Sequence, residues 1–324
     1  MKTRTLILGA GIGGLSAAAE LKDKQEEDFI IVDKNKELPQ NFHNGLHYLH
    51  SCDFGTPFSF EFKKCILTEE IWNTKTNEFK KNATIPEMFE YSKKIMENLR
   101  HPSSIMDPGK RNEVWIPLSN SMNDLPKAYH DYIGEEKFEW NFFVKKIDTE
   151  KKIVTFNVEE NLTDFISYEN LISTIPIPTL YHVCGLKSPY DFKQKTIYIN
   201  NYQTTNVVSN WLIVLYMSDP KFLPYRITAF NNLISMESLI DLTYEDEIVI
   251  KYLIGNLFEY DLKTKTNYKW DTGRIFGLQK LEREQMVKDF AEKNIHLIGR
   301  FAQWNGKLLI DGTILQAKEL INKI

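Results

Sequence analysis

The stretch TLILGAGIGG, residues 5–14, decides the fold of this chain. Its first four residues predict a short buried strand, and the glycines that follow have the GxGxxG spacing of a phosphate-binding turn. Gly9 permits the tight turn out of the strand, Gly11 lets the backbone approach a pyrophosphate, and Gly14 lets helix and strand pack closely. The stretch therefore predicts the opening of a dinucleotide-binding βαβ unit.

The residues after this turn agree with that interpretation. An alanine-rich helix is predicted from Leu15 to about Asp23, and Phe29–Val32 predicts a second strand that ends at Asp33. A carboxylate at the end of the second strand is suited to hydrogen-bond a ribose hydroxyl, and the helix start is suited to bind phosphate. No Arg follows Asp33 to accept a 2′-phosphate, although Lys34 does. An adenine dinucleotide is expected, either FAD or NAD.

Composition limits the class of protein. The chain has 324 residues, of which 42% are hydrophobic and 26% charged, as in ordinary globular proteins. Its net charge of −4 gives no overall attraction to nucleic acid or anionic lipid. Apolar runs such as 211–217 are strand-length, far short of the roughly 20 residues that cross a bilayer. Because the first strand begins at residue 5, we expect no signal peptide. Three cysteines without paired spacing suit a reducing compartment, so a cytoplasmic location is expected: Cys52, Cys65 and Cys184.

Four further parts of the chain carry a common signature. They are GLHYLH at 45–50, VWIPL at 114–118 with Asn120 beyond it, LISTIP at 171–176, and LIGRFAQW at 297–304 followed by IDGTI at 310–314. Together with the glycine turn they resemble the UDP-galactopyranose mutase-like branch of the flavoprotein amine-oxidase superfamily. The matches keep the family's order and span both ends of the chain.

The resemblance implies FAD as the cofactor and a set of residues around it. His47 would lie against the isoalloxazine ring, and Arg300 near the flavin pyrimidine or a phosphate, unless Arg300 forms an ordinary surface ion pair. Asp311 is a candidate for the cofactor site or for the cap of the last helix, and Trp304 for stacking or for core packing. The predicted cofactor-binding residues are Gly9, Gly11, Ile12, Gly13, Gly14, Asp33, Lys34, Gly45, Leu46, His47, Thr174, Pro176, Gly299, Arg300, Asp311, Gly312 and Thr313.

The candidate catalytic residues are His47, His50 and Arg226. Histidine exchanges protons near neutral pH, although each histidine is also compatible with a structural role. Arg226 lies in PYRI, residues 224–227, a short piece that resembles the mutases' Tyr-Arg motif, and arginine suits anionic substrates.

The same region contains candidates for two other kinds of site, a metal site and a cysteine nucleophile. His43, His47 and His50 have spacings of four and three, which a metal site can use, but Gly45 interrupts them and no carboxylate adjoins them. No metal is therefore expected. Cys52 is a candidate nucleophile, although an isolated thiol is more often a small buried apolar residue.

The predicted function is an FAD-dependent oxidoreductase, with flavin N5 as hydride acceptor, acting on a small or nucleotide-linked substrate. The mutases' Gly-Pro-Ile-Asp stretch is missing, and Arg226 and Arg274 are isolated candidates for their diphosphate clamp, which counts against nucleotide-sugar mutase activity. Alternatives are a redox-neutral mutase or a lyase acting on a modified nucleotide or amino-acid adduct, an NAD-binding oxidoreductase, and a non-catalytic flavin scaffold. A homodimer is compatible with the sequence.

The predicted fold class is α/β, with a Rossmann-like FAD-binding domain interleaved with a β-rich substrate domain and a small helical segment. Residues 1–60, 140–185 and 270–324 are assigned to the FAD-binding domain, and 61–139 and 186–269 to the substrate domain. Further elements are predicted at 87–100 (helix), 114–118 (strand), 122–132 (helix), 142–147 and 153–158 (paired strands), 168–177 (buried strand), 196–254 (β-rich), 282–291 (helix), 295–298 (strand) and 311–321 (helix).

Overall fold

A computed structural model of the chain has two β-sheets with helices packed on them. It describes residues 1–38, 46–73, 75–76, 78–96, 112–159, 162–205, 207, 209–246, 248, 252 and 262–324. Within these residues no helix is long and apolar enough to span a membrane.

The first sheet is built around the strand of the glycine turn. Its order is β6-β2-β1-β9-β8-β7. Strand β15 pairs with the last residues of β9, on the side away from β1. Strands β6, β2, β1, β9 and β15 run parallel, whereas β7, β8 and β9 form an antiparallel meander. The bounds are β1 Lys2–Leu8, β2 Phe29–Asp33, β6 Phe138–Trp140, β7 Phe143–Asp148, β8 Ile153–Glu159, β9 Leu162–Ser173 and β15 Ile295–Leu297.

The second sheet is mostly antiparallel. Its order is β14-β10-β13-β12-β11-β3-β4, and β5 pairs with β3. The pair β11 and β3 is parallel. The bounds are β3 Phe62–Asn73, β4 Glu78–Lys80, β5 Glu113–Pro117, β10 Lys193–Thr204, β11 Ser209–Tyr216, β12 Pro224–Asn231, β13 Leu233–Ser238 and β14 Leu262–Phe276.

The helices cover the faces of the sheets. The bounds are α1 Ile12–Asp23, α2 Ile85–Met96, α3 Asp124–Ile133, α4 Ile177–Val183, α5 Lys280–Ala291 and α6 Ile310–Ile321. Helices α3 and α6 pack against α1, whose run of three alanines, 17–19, is fully buried. Small side chains let these helices approach closely, so α1 sits in a tight helical layer on one face of the first sheet.

The predicted fold class is confirmed: the chain is α/β, with a Rossmann-like unit and a largely β second part. One predicted strand has clearly different bounds, and two long strands were not predicted. The strand predicted at 168–177 begins at Leu162 and ends at Ser173, because Pro176 starts helix α4. Strands β3 and β14 were missed as defined elements.

The domain boundaries stay a proposal, and sheet membership suggests moving two of them. Helix α3 contacts α1 and β6 pairs with β2, so residues 124–140 belong with the first sheet. Strand β14 continues to Phe276 in the second sheet, beyond the boundary at 270.

Candidate functional site

The glycine turn connects β1 to α1 and exposes the start of that helix. Gly9 has φ +102°, and a Cβ atom there would lie 2.4 Å from Thr174 Oγ1. At Gly14 a Cβ atom would lie 2.0 Å from the Gly9 carbonyl oxygen. A Cβ atom at Gly11 would meet nothing within 4 Å. Gly11 is also the N-cap of α1 and makes no side-chain cap. The helix start therefore borders open space where a phosphate can approach its N–H groups.

Asp33 is held at the end of β2, facing this turn. Its Oδ2 accepts a hydrogen bond of 2.7 Å from the Ala10 N–H, and its Oδ1 accepts bonds from the backbone and side-chain nitrogens of Asn35. Lys34 beside it is exposed. The carboxylate is thus fixed by its own neighbours at the end of β2, the position predicted to bind a ribose.

Thr174 directly follows the carboxyl end of β9. Its hydroxyl donates to the Leu8 carbonyl oxygen at 2.8 Å, which ties the ends of β1 and β9 together. Pro176 follows as the N-cap of α4. Gly9, Thr174 and Pro176 therefore meet at the carboxyl edge of the first sheet, the usual ligand edge of such sheets.

The end of β15 completes this edge. Gly299 has φ +94° and donates its N–H to Gln316 in α6. Thr313 packs its methyl group 3.3 Å from a Cβ atom placed at Gly13, and its hydroxyl donates to the Leu309 carbonyl oxygen. Thr313 and Gly13 thus bring the starts of two helices together, while Gly312 lies at the start of α6.

Asp311 is not the cap of α6, since Leu309 occupies that position. Its Oδ1 accepts from the Gly312 N–H and its Oδ2 from the Ser51 N–H, at 2.9 and 3.2 Å. Asp311 therefore anchors the 46–52 segment to the last helix.

The 46–52 segment runs between the two sheets. Leu49 exchanges two backbone hydrogen bonds of 2.9 Å with Trp115, and Leu46 packs on the apolar core of the second sheet. The ring of His50 lies edge-on to Tyr48, with 5.3 Å between centroids. Gly45 and His43 lie outside the described residues.

A β-bulge in the second sheet turns two side chains toward this segment. The β12–β13 register shifts between Pro224 and Arg226, and Tyr225 and Arg226 both hydrogen-bond to Glu237. A bulge of this kind places consecutive side chains on one face. Tyr225 and Glu237 are buried. Burial alone would raise the pKa of Glu237, but Arg226, the hydrogen bonds of Tyr225 and Arg226, and His47 together lower it.

Two more arginines join this group. The Arg274 guanidinium carbon lies 5.9 Å from the centre of the Tyr225 ring. Gly273 before it has no room for a side chain, because a Cβ atom would lie 2.1 Å from Ile197. Arg300 follows Gly299 after the end of β15, in the first sheet. We call Arg226, Arg274, Arg300, Tyr225 and Glu237 the arginine cluster.

The arginine cluster has an excess of positive charge. Burial, and then Arg274, lower the pKa of Arg300 to about 10. The buried Arg300 Nε has no hydrogen-bond partner in the described part of the chain. Arg226 is paired with the Glu237 carboxylate, whereas the Arg300 guanidinium lies within the influence of two like charges, Arg274 and Arg226. Buried charge of this kind is costly unless an anion compensates it.

Comparison with solved structures gives similar folds over nearly the whole chain. A reduced UDP-galactopyranose mutase aligns with a TM-score of 0.74 at 15% identity, covering 99% of this chain and 93% of that one. The chain has the fold of the amine oxidase-like flavoproteins. A CLA-producing fatty acid isomerase from P. acnes (TM-score 0.65, 11% identity) and cyclohexylamine oxidase from Brevibacterium oxydans IH-35A (0.65, 12%) each align over 99% of this chain and 98% of their own. No protein-family model and no curated protein sequence matches the chain.

This amine oxidase-like fold confirms the resemblance inferred from the sequence motifs. The predicted cofactor-site residues that the structure describes lie in or beside the glycine turn, the carboxyl ends of β2, β9 and β15, the start of α6 and the 46–52 segment. The motifs of the glycine turn, LISTIP and LIGRFAQW are thus brought to one edge of the first sheet, whereas VWIPL forms β5 of the second sheet. Their roles toward a cofactor stay predictions.

Two alternatives from the sequence, for Trp304 and Cys52, have an outcome. Trp304 is fully buried, 5.2 Å from Phe192, so it packs in the core. Burial and then Asp53 raise the pKa of Cys52, which disfavours a thiolate nucleophile. Among the described residues no three His, Cys, Asp or Glu side chains are grouped to hold a metal, and His43 is not among them.

Sequence reasoning missed Glu237 and treated Arg274 as isolated. Glu237 had a detectable signal: in a hairpin that turns at Asn231 and Asn232, it falls opposite Arg226. The approach of Arg300 to this pair had none, because it depends on how the two sheets meet.

Proposed function

We propose that the chain is an FAD-dependent oxidoreductase whose small, nucleotide-linked or otherwise anionic substrate binds at the arginine cluster. One observation carries the proposal: the glycine turn and the arginine cluster are joined through Arg300. A Cβ atom at Gly13 would lie 3.1 Å from Ile298, and Arg300 is only two residues further on. A cofactor seated on the turn would thus extend toward the arginines.

The residues of the turn fit FAD. The open space at Gly11, the uncapped start of α1 and the fixed carboxylate of Asp33 suit a pyrophosphate and a ribose. A bound FAD would supply a hydride acceptor at N5. Gly299 and Arg300, after β15, and Thr313, at the start of α6, would hold the remainder of the cofactor, with Leu46 and His47 on the side of the 46–52 segment.

The charge of the site selects the substrate class. An amine carries positive charge at neutral pH and would be repelled by the three arginines, because the buried carboxylates beside them, Glu237 and Glu69, are fewer. A phosphate or carboxylate would instead be attracted, and arginine forks match both groups. We therefore favour an anionic substrate over an amine.

His47 is the proposed proton-transfer residue. Two points support this role: His47 is among the groups that lower the pKa of Glu237 in the arginine cluster, and its motif predicts a position beside the cofactor. His50, against the ring of Tyr48, is a second candidate, and Arg226 is held for substrate binding by Glu237.

The arginine cluster also supports a second candidate, a redox-neutral mutase or lyase. Such an enzyme would use the same turn and arginines, with reduced cofactor and a phosphate-bearing substrate. The cluster provides the anion-binding groups whose apparent lack in the sequence counted against this candidate. A homodimer and a cytoplasmic location remain predictions.

The test is the visible spectrum of the purified protein, followed by identification of the cofactor that is released on denaturation. Flavin bands and FAD support the proposal, whereas a colourless protein that takes up NAD but no FAD contradicts it. Anaerobic mixing then separates the candidates. Bleaching of the flavin by an anionic substrate indicates an oxidoreductase, and turnover only after prior reduction by dithionite indicates redox-neutral chemistry.

A further inference from the structure

The loop between β11 and β12 is closed around a lysine from another element. Lys94 Nζ, from helix α2, lies within hydrogen-bonding distance of four backbone carbonyl oxygens of this loop: Met217 at 2.8 Å, Asp219 at 2.8 Å, Phe222 at 2.5 Å and Pro224 at 2.9 Å. An ammonium group has only three donors, so the four oxygens share them. We call these four oxygens the carbonyl cage, and the Lys94 ammonium group occupies it.

This cage lies directly before the arginine cluster. Pro224 is the last carbonyl of the cage, and Tyr225 and Arg226 follow it in the chain. The Met217 N–H also donates to the Tyr225 carbonyl oxygen at 2.9 Å, across the mouth of the loop. The bulge that turns Tyr225 and Arg226 toward Glu237 begins at Pro224. The path of the loop therefore sets where these two side chains point.

A second side chain of α2, Tyr91, is linked to the arginine cluster through Tyr216. Tyr91, one turn before Lys94, is buried with its ring edge-on to Tyr216 at 5.1 Å, and Tyr216 is the cross-strand neighbour of Arg226. Tyr216 in turn donates its hydroxyl proton to Glu69 at 2.7 Å. One face of α2 thus contacts both the β11–β12 loop, through Lys94, and Tyr216 beside Arg226, through Tyr91.

We propose that Lys94 is a positioning residue for anion binding: by filling the carbonyl cage it fixes the β11–β12 loop and so orients Tyr225 and Arg226. The inference rests on the proposed function for the identity of the ligand, but not for the hold of Lys94 on the loop. Without the ammonium group, four carbonyl dipoles would face one another, and the loop would open.

The test uses the full-length protein with its bound flavin and inorganic pyrophosphate as the probe. Flavin absorbance reports pyrophosphate binding. Lys94→Met is expected to raise the Kd for pyrophosphate about tenfold, because displaced Tyr225 and Arg226 side chains would lose one or two hydrogen bonds to the charged ligand. The flavin content should stay unchanged. Lys93→Met, on the exposed side of α2, is the matched control and should leave the Kd unchanged.

Two further variants separate positioning from general stability. Ile95→Ala removes a fully buried side chain of α2 and should lower the melting temperature without changing the Kd. Lys94→Ala leaves the cage without its cation, and propylammonium should restore pyrophosphate affinity. Tetramethylammonium, which has no N–H donor, should not.

Hydrogen exchange gives a reading that needs no ligand. The Met217 amide, bonded to the Tyr225 carbonyl oxygen, should exchange faster in Lys94→Met than in Lys93→Met. Equal exchange, or a pyrophosphate Kd that changes equally in Lys94→Met and Ile95→Ala, overturns the positioning role. If the wild-type protein binds no pyrophosphate while exchange does differ, the proposed substrate class fails and the hold of Lys94 on the loop stands.

Discussion

His296 shows how burial changes the chemistry of a single side chain. It lies in β15 opposite Ile172 of the central strand β9, and burial lowers its pKa below the usual 6.5. The folded protein therefore binds the proton less readily than the unfolded chain does. By linkage, the free energy of unfolding should fall as the pH drops below 6.5 toward the lower folded pKa, and this contribution is fully present above 6.5.

His296→Gln should remove part of that acid sensitivity. The expected change in slope is at most about 1.4 kcal/mol per pH unit, the limit for one proton. Urea unfolding between pH 7 and pH 5, in roughly half-unit steps, measures it. His182→Gln, at an exposed position of α4, is the control. Identical pH profiles of wild type and His296→Gln would show that this histidine does not titrate differently on folding.

At the scale of elements, two glycines of the same turn have different roles: Gly14 is required for packing, whereas Gly11 leaves space for a ligand. A methyl group at Gly11 meets open space, whereas one at Gly14 would lie 2.0 Å from the Gly9 carbonyl oxygen. Gly11 also has an ordinary φ of −76°. The same substitution should therefore have opposite consequences at the two positions.

Gly11→Ala should keep the fold and lose the cofactor. We expect its free energy of unfolding without FAD to stay within about 1 kcal/mol of wild type, because alanine fits this backbone. FAD affinity should fall at least about tenfold, since the methyl group fills the approach of the pyrophosphate. Urea unfolding and FAD titration measure the two quantities. Gly14→Ala should instead lower stability or prevent folding, and unchanged FAD binding by Gly11→Ala would refute the site.

The elements also show what sequence patterns can and cannot predict. The first sheet was readable because Gly9, Gly11 and Asp33 act over short distances and have fixed spacing along the chain. Most element positions were found within a few residues for the same reason. The long strand β3 was missed because its lysines and glutamates hide a strand that alternates between buried and exposed residues. The partners of Arg300 were unpredictable because they come from another sheet.

At the scale of the whole molecule, the candidate site lies where the two sheets meet. The first sheet presents the glycine turn and Arg300, and the second presents Arg226, Arg274 and Glu237. The 46–52 segment runs between them and is tied to the last helix by Asp311. Neither sheet alone would hold both a cofactor and an anion, so binding should depend on their relative placement.

Arg300 crosses this junction, and its replacement tests the charge of the assembled site. It has no hydrogen-bonding partner for Nε in the described residues, and Arg274 lies near it with like charge. Arg300→Met should therefore raise the free energy of unfolding of the cofactor-free protein by about 1–3 kcal/mol, the cost of an unpaired buried polar group. The same variant should bind pyrophosphate about tenfold more weakly, because an anion loses one guanidinium partner. Urea unfolding and pyrophosphate titration measure both effects, with the exposed Arg4→Met as control. A variant that is less stable than wild type would mean that Arg300 is compensated within the protein, and the excess of positive charge would no longer argue for an anionic substrate.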